Sequence, residues 1–142
     1  MKIAYTGTIF FYQKFGGISR YFTEIVKIID AKAKIVAPIN KNIYLKNIGL
    51  EKKNSFYFKK VPHFYLLKKI NNFLTNQVIK YYKPDIVHET YYSDNVKNLV
   101  KYKKVLTIYD LIHEKFKDNF FKNKLNEKQK ILEYIDHFIC IS

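Results

Sequence analysis

The chain has 142 residues, a length typical of one domain, and 48% of its residues are hydrophobic. This composition supports a packed core and excludes wholesale disorder, and no apolar run approaches the ~18 residues of a membrane-spanning helix. The formal net charge is +14, which favours partners that carry negative charge.

The amino terminus and the single cysteine bear on where the protein resides. Met1-Lys2-Ile3 leads directly into a strand-like run without a separate apolar signal segment, so we expect a cytoplasmic protein. One cysteine, Cys140, excludes an intramolecular disulfide and a cysteine-based zinc site. Its apolar neighbours predict a buried thiol, and His63 and His137 are likewise interpreted as structural side chains among core-forming residues.

Strand-like and helix-like segments alternate along the chain. The first predicted elements are a strand at Lys2–Thr6, an aromatic loop closed by Gly16-Gly17, a helix at Ile18–Ile29, strands at Ala33–Ala37 and Phe56–Phe58, and a helix from Pro62 to Tyr82. After Pro84 follow strands at Asp85–His88, Val105–Tyr109 and His137–Ile141, a loop at Tyr91–Asn95, and helices at Val96–Tyr102 and Lys124–Tyr134. The alternation predicts one α/β domain over residues 1–142, a doubly wound, mainly parallel Rossmann-like sheet with helices on both faces.

The positive charge is concentrated in one segment. Residues 31–84 carry twelve lysines against a single acid, whereas the flanking segments are nearly balanced. On the long helix predicted there, Lys68 and Lys69 adjoin Leu66 and Ile70, which gives an apolar stripe edged with charge. Such a surface suits an anionic membrane, and an ordinary helix with its stripe on the sheet is the alternative.

One candidate site lies at the start of the first long helix. In an open α/β sheet, ligands bind beyond the carboxyl ends of the strands, where this glycine pair lies. Gly16-Gly17 opens a helix whose free N–H groups and positive dipole end suit a phosphate or a sugar hydroxyl. Arg20, the only arginine in the chain, lies in the first turn, where a guanidinium suits a diphosphate. A plain Gly-Gly turn with a solvated arginine is the alternative.

Two neighbouring strand ends carry the other candidates. His88 and Glu89 end one strand, Tyr109 and Asp110 end the next, and His113 follows within about one turn. Histidines and carboxylates on adjacent loops can form an acid/base or sugar-binding cluster, although each of them could equally cap or hold a loop. No spacing is diagnostic of a zinc or magnesium site, so we expect no metal.

Four motifs in this order resemble those of glycosyltransferase family 4, whose members have the GT-B fold. They are Phe15–Phe22, Pro84–Tyr92, Leu106–Phe116 and Asp136–Ser142, and together they extend over nearly all of the chain. The resemblance implies a retaining, sugar-nucleotide-dependent enzyme, similar to polysaccharide mannosyltransferases. The chain would be the N-terminal, acceptor-side half of the GT-B fold, with the C-terminal donor-binding domain absent.

The resemblance also assigns roles to residues. Gly16-Gly17 would approach the donor diphosphate and the reacting sugar. Many relatives have a histidine directly before the aspartate of the fifth-strand loop, where this chain has Tyr109, so His113 and Asp110 are the catalytic candidates. The predicted substrate-binding residues are Gly16, Gly17, Arg20, His88, Glu89, Tyr91, Tyr92 and Tyr109. No cofactor is expected, because the nucleotide sugar is a substrate whose diphosphate is stabilised by helix N-termini and basic side chains.

The predicted function is transfer of a hexose, such as mannose, from a nucleotide sugar to a cell-surface glycan or a lipid-linked acceptor. The chain is expected to be inactive alone, to share the nucleotide sugar with the missing domain, and to contact the anionic inner face of the cell membrane. The alternative is a non-enzymatic basic α/β module that binds anionic membranes or nucleic acid. One arginine against 25 lysines speaks against sequence-specific recognition of nucleic acid.

Overall fold

A computed structural model of the chain describes residues 1–29, 32–47, 55–109 and 128–141. The strands are β1 (Lys2–Thr6), β2 (Lys32–Val36), β3 (Ile39–Asn40), β4 (Phe56–Tyr57), β5 (Ile86–Glu89), β6 (Lys103–Ile108) and β7 (His137–Cys140). The helices are α1 (Thr8–Tyr12), α2 (Gly17–Ile28), α3 (Ile43–Asn47) and α4 (Phe64–Tyr82), with a 3-10 helix at Asp94–Asn98 and a helical segment at 128–132. None of the described helices is both long and apolar enough to cross a bilayer.

Five of these strands form one parallel sheet in the order β2-β1-β5-β6-β7. In order of appearance within the sheet this is 2-1-3-4-5, a doubly wound order in which the winding reverses between β1 and β5. Across that switch point Ala4 pairs with Val87, and Tyr5 pairs with His88. The predicted α/β class and parallel sheet are confirmed.

Successive residues of β1 contribute to hydrophobic clusters on opposite faces of the sheet. Tyr5 belongs to the cluster formed with α1 and α2, which contains Phe10 and Phe22. Ala4 belongs to the other cluster, which contains Ile79 of α4. Because side chains alternate along a strand, the two clusters lie on the two faces, and helices cover both.

The segment that follows β1 differs from the expectation. An aromatic loop was expected there, but Thr8–Tyr12 forms the short helix α1. Ile9, Phe10 and Phe11 are all almost fully buried, so packing against the sheet stabilises a turn that helix propensity alone would not predict.

The strand predicted at Phe56–Phe58 exists as β4, but it lies outside the main sheet. It pairs in parallel with β3, an element that the sequence analysis did not predict. The backbone N–H of Phe56 donates to the carbonyl oxygen of Pro38 at 2.6 Å, directly beside β3. Pro38 ends β2, and the residues after it pair with a different partner.

The buried positions predicted for Cys140, His63 and His137 are wrong. Every residue of β7, which includes His137 and Cys140, is exposed. An apolar run is buried only where another element covers it, and β7 is the edge strand of the sheet. His63 is also exposed and precedes α4 with a left-handed φ of 42°.

Candidate functional site

A buried polar cluster lies where β1 and β5 end, at the switch point of the sheet. Thr6 Oγ1 donates a hydrogen bond of 2.8 Å to Glu89 Oε2 and accepts one of 3.2 Å from the backbone N–H of Thr90. Thr90 Oγ1 donates to the carbonyl oxygen of Thr6 at 2.8 Å and accepts from the backbone N–H of Ile9 at 3.2 Å. The cluster therefore joins both strand ends to the first turn of α1.

Glu89 is the ionisable group of this cluster. It is fully buried, and its Oε1 has no hydrogen-bond partner in the part of the chain that the structure describes. Burial raises the pKa of the carboxyl from 4.5 to about 7, and the Thr6 and Thr8 hydroxyls partly offset that rise. Near neutral pH the carboxyl therefore exists in both protonation states, as an acid/base group requires.

His88 lies one residue earlier on β5 and faces the opposite side of the sheet. Its Nε2 lies 2.9 Å from Thr107 Oγ1 of β6, and its ring packs against Tyr5 and Phe22 at centroid distances of 5.1 and 5.3 Å. Burial lowers the pKa of the imidazole from 6.5 to about 4. His88 is therefore neutral at physiological pH and packs between β1 and α2.

Tyr109, directly after β6, contacts both the residue after β5 and helix α2. Its hydroxyl donates to the carbonyl oxygen of Thr90 at 3.4 Å. Its ring meets Tyr21 and Phe22 of α2 edge to face, at centroid distances of 6.2 and 6.3 Å. Burial and neighbouring tyrosines, Tyr21 first among them, raise the pKa of the phenol far above its usual value, so Tyr109 stays a neutral donor.

Further tyrosines form a rim after β5. The Tyr91 ring packs against Tyr12 of α1 at 6.2 Å and against Tyr92 at 5.3 Å. The Lys128 ammonium lies 4.8 Å from the centroid of the Tyr92 ring, within cation–π range. These rings are half-buried, so they offer aromatic surface at the carboxyl ends of the strands.

Gly16-Gly17 begins α2 as predicted, and α2 begins beside the end of β6. The Arg20 backbone N–H donates to the carbonyl oxygen of Gly16 at 3.0 Å, and the Arg20 side chain is exposed in the first turn. A Cβ built on Gly17 would meet no heavy atom of the described residues within 4 Å, so this position is open. The contact between Tyr21, four residues after Gly17, and Tyr109 joins α2 to the end of β6.

The predicted substrate-binding residues thus lie along one edge of the sheet, on α2 and the ends of β5 and β6. Asp110 and His113, the catalytic candidates, lie outside the described residues. Sequence reasoning missed Thr6 and Thr107, which hydrogen-bond Glu89 and His88, and Thr90, which joins the ends of β1 and β5. The available signal was a threonine at or beside the end of each of these strands. Among the described residues no group of three or more His, Cys, Asp or Glu side chains could hold a metal.

Comparisons with protein-family models, curated proteins and solved structures find no match to this chain. The resemblance of four motifs to glycosyltransferase family 4 stays a prediction from the sequence.

Proposed function

We propose that this chain is the acceptor-side domain of a retaining glycosyltransferase that moves a hexose from a nucleotide sugar to a glycan or lipid-linked acceptor. One observation carries the proposal: the glycine-opened helix α2 contacts Tyr109 through Tyr21, and Tyr109 donates a hydrogen bond to Thr90, directly before Tyr91 and Tyr92, at the carboxyl edge of a doubly wound sheet. Ligands of such sheets bind outside this edge, at the switch point.

The start of α2 supplies the groups that a donor diphosphate needs. When the bond between the sugar and the diphosphate breaks, negative charge grows on the departing oxygen. The free N–H groups at Gly17 and the guanidinium of Arg20 stabilise that charge. The open space at Gly17 lets a ligand approach the backbone closely.

The tyrosine rim suits the sugar ligands. Tyr12, Tyr91 and Tyr92 are each half-buried, so part of each ring is accessible, and an aromatic ring packs well against the apolar face of a sugar. His88 and Glu89 are both buried, so we assign them to positioning the strand ends. Asp110 and His113 remain the catalytic candidates that the motif resemblance indicates.

A second feature supports attachment to an anionic membrane. The buried side of α4 carries Asn71, Thr75 and Ile79, whereas large apolar side chains face solvent. Leu66 is 59% exposed and Ile70 40% exposed. A helix that packed its whole apolar stripe on the sheet would show the reverse pattern.

Charge beside the exposed apolar residues complements an anionic lipid surface. Lys59 and Lys60 are exposed just before α4. Lys68 differs from the expectation: it is half-buried, with its ammonium 5.7 Å from the Tyr12 ring centroid. Apolar side chains edged by lysines are typical of surfaces that bind anionic bilayers. Such attachment would hold the sheet edge near a lipid-linked acceptor.

Equilibrium binding at rising salt separates the proposal from a nucleic-acid module. We expect the chain to bind a nucleotide sugar weakly. We expect its affinity for duplex DNA to fall steeply as the salt concentration rises, because nonspecific phosphate contacts are screened. We also expect neither hydrolysis nor transfer of the sugar by this chain alone. Tight DNA binding that survives moderate salt, without binding of the nucleotide sugar, would contradict the proposal.

A further inference from the structure

A concavity lies between α4 and the 3-10 helix Asp94–Asn98. It is an open groove of about 510 Å³. Its walls carry five side-chain amides, contributed by Asn72, Asn76, Gln77, Asn95 and Asn98. Four of the twelve asparagines of the chain thus line one groove.

Two of these amides are held in place by each other. Asn76 Nδ2 donates to Asn95 Oδ1 at 2.9 Å, and Asn95 Nδ2 donates to Asn76 Oδ1 at 2.8 Å. The backbone N–H of Asn95 also donates to Ser93 Oγ at 3.1 Å. Asn95 Oδ1 also accepts from Asn98 Nδ2 at 3.5 Å, which fills its acceptor capacity, whereas Asn76 retains both a donor hydrogen and an acceptor lone pair. The pair therefore presents a preformed polar floor.

The amides match the chemistry of sugar hydroxyl groups. A carboxamide donates through its nitrogen and accepts through its oxygen, and each hydroxyl likewise both donates and accepts. Phe73 contributes a largely exposed ring to the same wall, where the apolar face of a sugar can pack.

The charges of the groove favour an anionic ligand. Lys69 and Lys80 both line it and are eleven residues apart on α4, which places them about 16 Å apart along the helix axis. The one carboxylate on the wall, Asp94, is paired with Lys97 at 3.4 Å. The electrostatic potential along the groove is therefore expected to be positive.

We propose that this groove binds a stretch of acidic oligosaccharide. The inference deepens the proposed function, on which it rests, by assigning the acceptor to the class of anionic glycans. Binding in the groove needs no nucleotide sugar and no catalytic residue. The groove and the sheet edge can therefore be tested separately.

Titration of the isotope-labelled chain with two probes tests the inference. The probes are a hexamer of galacturonic acid and a neutral glucose hexamer of similar length. We expect saturable shifts of the side-chain amide signals of Asn72, Asn76, Asn95 and Asn98 with the acidic probe, and much weaker ones with the neutral probe. Absence of these shifts, or equal shifts with both probes, would overturn the inference.

Variants locate the binding. Lys69→Gln and Lys80→Gln should each weaken binding of the acidic hexamer by about fivefold, and Phe73→Leu should weaken it while the fold persists. Lys130→Gln, which removes an exposed lysine outside the groove lining, is the matched control and should leave affinity unchanged. Equal losses in Lys130→Gln and Lys69→Gln, or tighter binding of oligothymidylate, would contradict a glycan groove. If only the signals of Gly16 and Gly17 shifted, the acidic hexamer would bind at the sheet edge, and the proposal that it binds in the groove would be overturned.

Discussion

The hydroxyl of Thr6, the last residue of β1, donates a 2.8 Å hydrogen bond to Glu89, the last residue of β5. This bond crosses the switch point of the sheet and satisfies only one of the two carboxylate oxygens. A buried carboxyl with one unsatisfied oxygen favours its protonated form, so proton uptake is built into the strand junction.

Glu89→Gln should therefore change how stability depends on pH. The folded pKa of Glu89 is about 7 against 4.5 for a free glutamate. Its contribution to stability is fully present below the unfolded pKa and is lost as pH rises through the folded pKa. Relative to the native chain, the variant should gain about 2 to 3 kcal/mol in unfolding free energy between about pH 5 and pH 8. Urea unfolding at a series of pH values measures it, and a difference that does not change with pH would contradict it.

His88→Gln should show the opposite trend. Burial lowers the folded pKa of His88 to about 4, so its contribution is present above the unfolded pKa of 6.5 and is lost as pH falls through the folded pKa. The variant should gain about 2 kcal/mol on the native chain between about pH 7 and pH 5. The same urea series records it. A stability difference that instead grew with rising pH, as for Glu89→Gln, would contradict a buried, neutral imidazole at His88.

Two glycine substitutions should separate a structural glycine from a functional one. A Cβ on Gly7 would lie 2.5 Å from the Cα of Ala37 and 2.6 Å from the carbonyl oxygen of Val36. Gly7→Ala should therefore destabilise the fold by about 1 to 3 kcal/mol. Gly17→Ala, at an open position in the first turn of α2, should leave stability unchanged or raise it by up to about 1 kcal/mol. Thermal unfolding distinguishes the two, and a large loss in Gly17→Ala would make that glycine structural.

Co-sedimentation with lipid vesicles tests the exposed face of α4. The chain should bind phosphatidylglycerol vesicles and bind neutral phosphatidylcholine vesicles little, since each lysine near an anionic surface contributes about 1 kcal/mol. Leu66→Gln with Ile70→Gln should reduce binding without altering the amide groove, which neither residue lines.

Ile28→Gln with Val100→Gln is the matched control, because both residues are highly exposed and lie outside α4. The control pair should sediment like the native chain. Equal binding to neutral and anionic vesicles, or to neither, would leave α4 as a solvated surface.

Much of the sheet could be predicted from local pattern. Buried parallel strands are short apolar runs, and Pro84 marks the junction between α4 and β5, so the strands near Thr6 and Glu89 were predictable. Which side of α4 packs against the sheet could not be predicted, because apolar residues occur on both sides of the helix. Only tertiary packing shows that Asn71 and Thr75 are buried while Leu66 is not.

The candidate site was predictable in position and less so in chemistry. Strand ends of an α/β sheet point to its ligand edge, which is why His88, Glu89 and Tyr109 could be named from the sequence. Their full or partial burial depends on Thr6, Thr90 and Phe22, which come from different parts of the chain. No local pattern shows that a threonine 83 residues away will hold a carboxylate.

Site-resolved titration of the isotope-labelled chain with GDP-mannose tests most directly whether the sheet edge binds a sugar diphosphate. Our account predicts saturable shifts of the backbone signals of Gly16, Gly17 and Arg20, with weak affinity. Arg20→Gln should lower the affinity for GDP-mannose severalfold, whereas Lys27→Gln, at the other end of α2, should leave it unchanged. No response at these three residues at saturating ligand, or an equal response in Arg20→Gln, would contradict it.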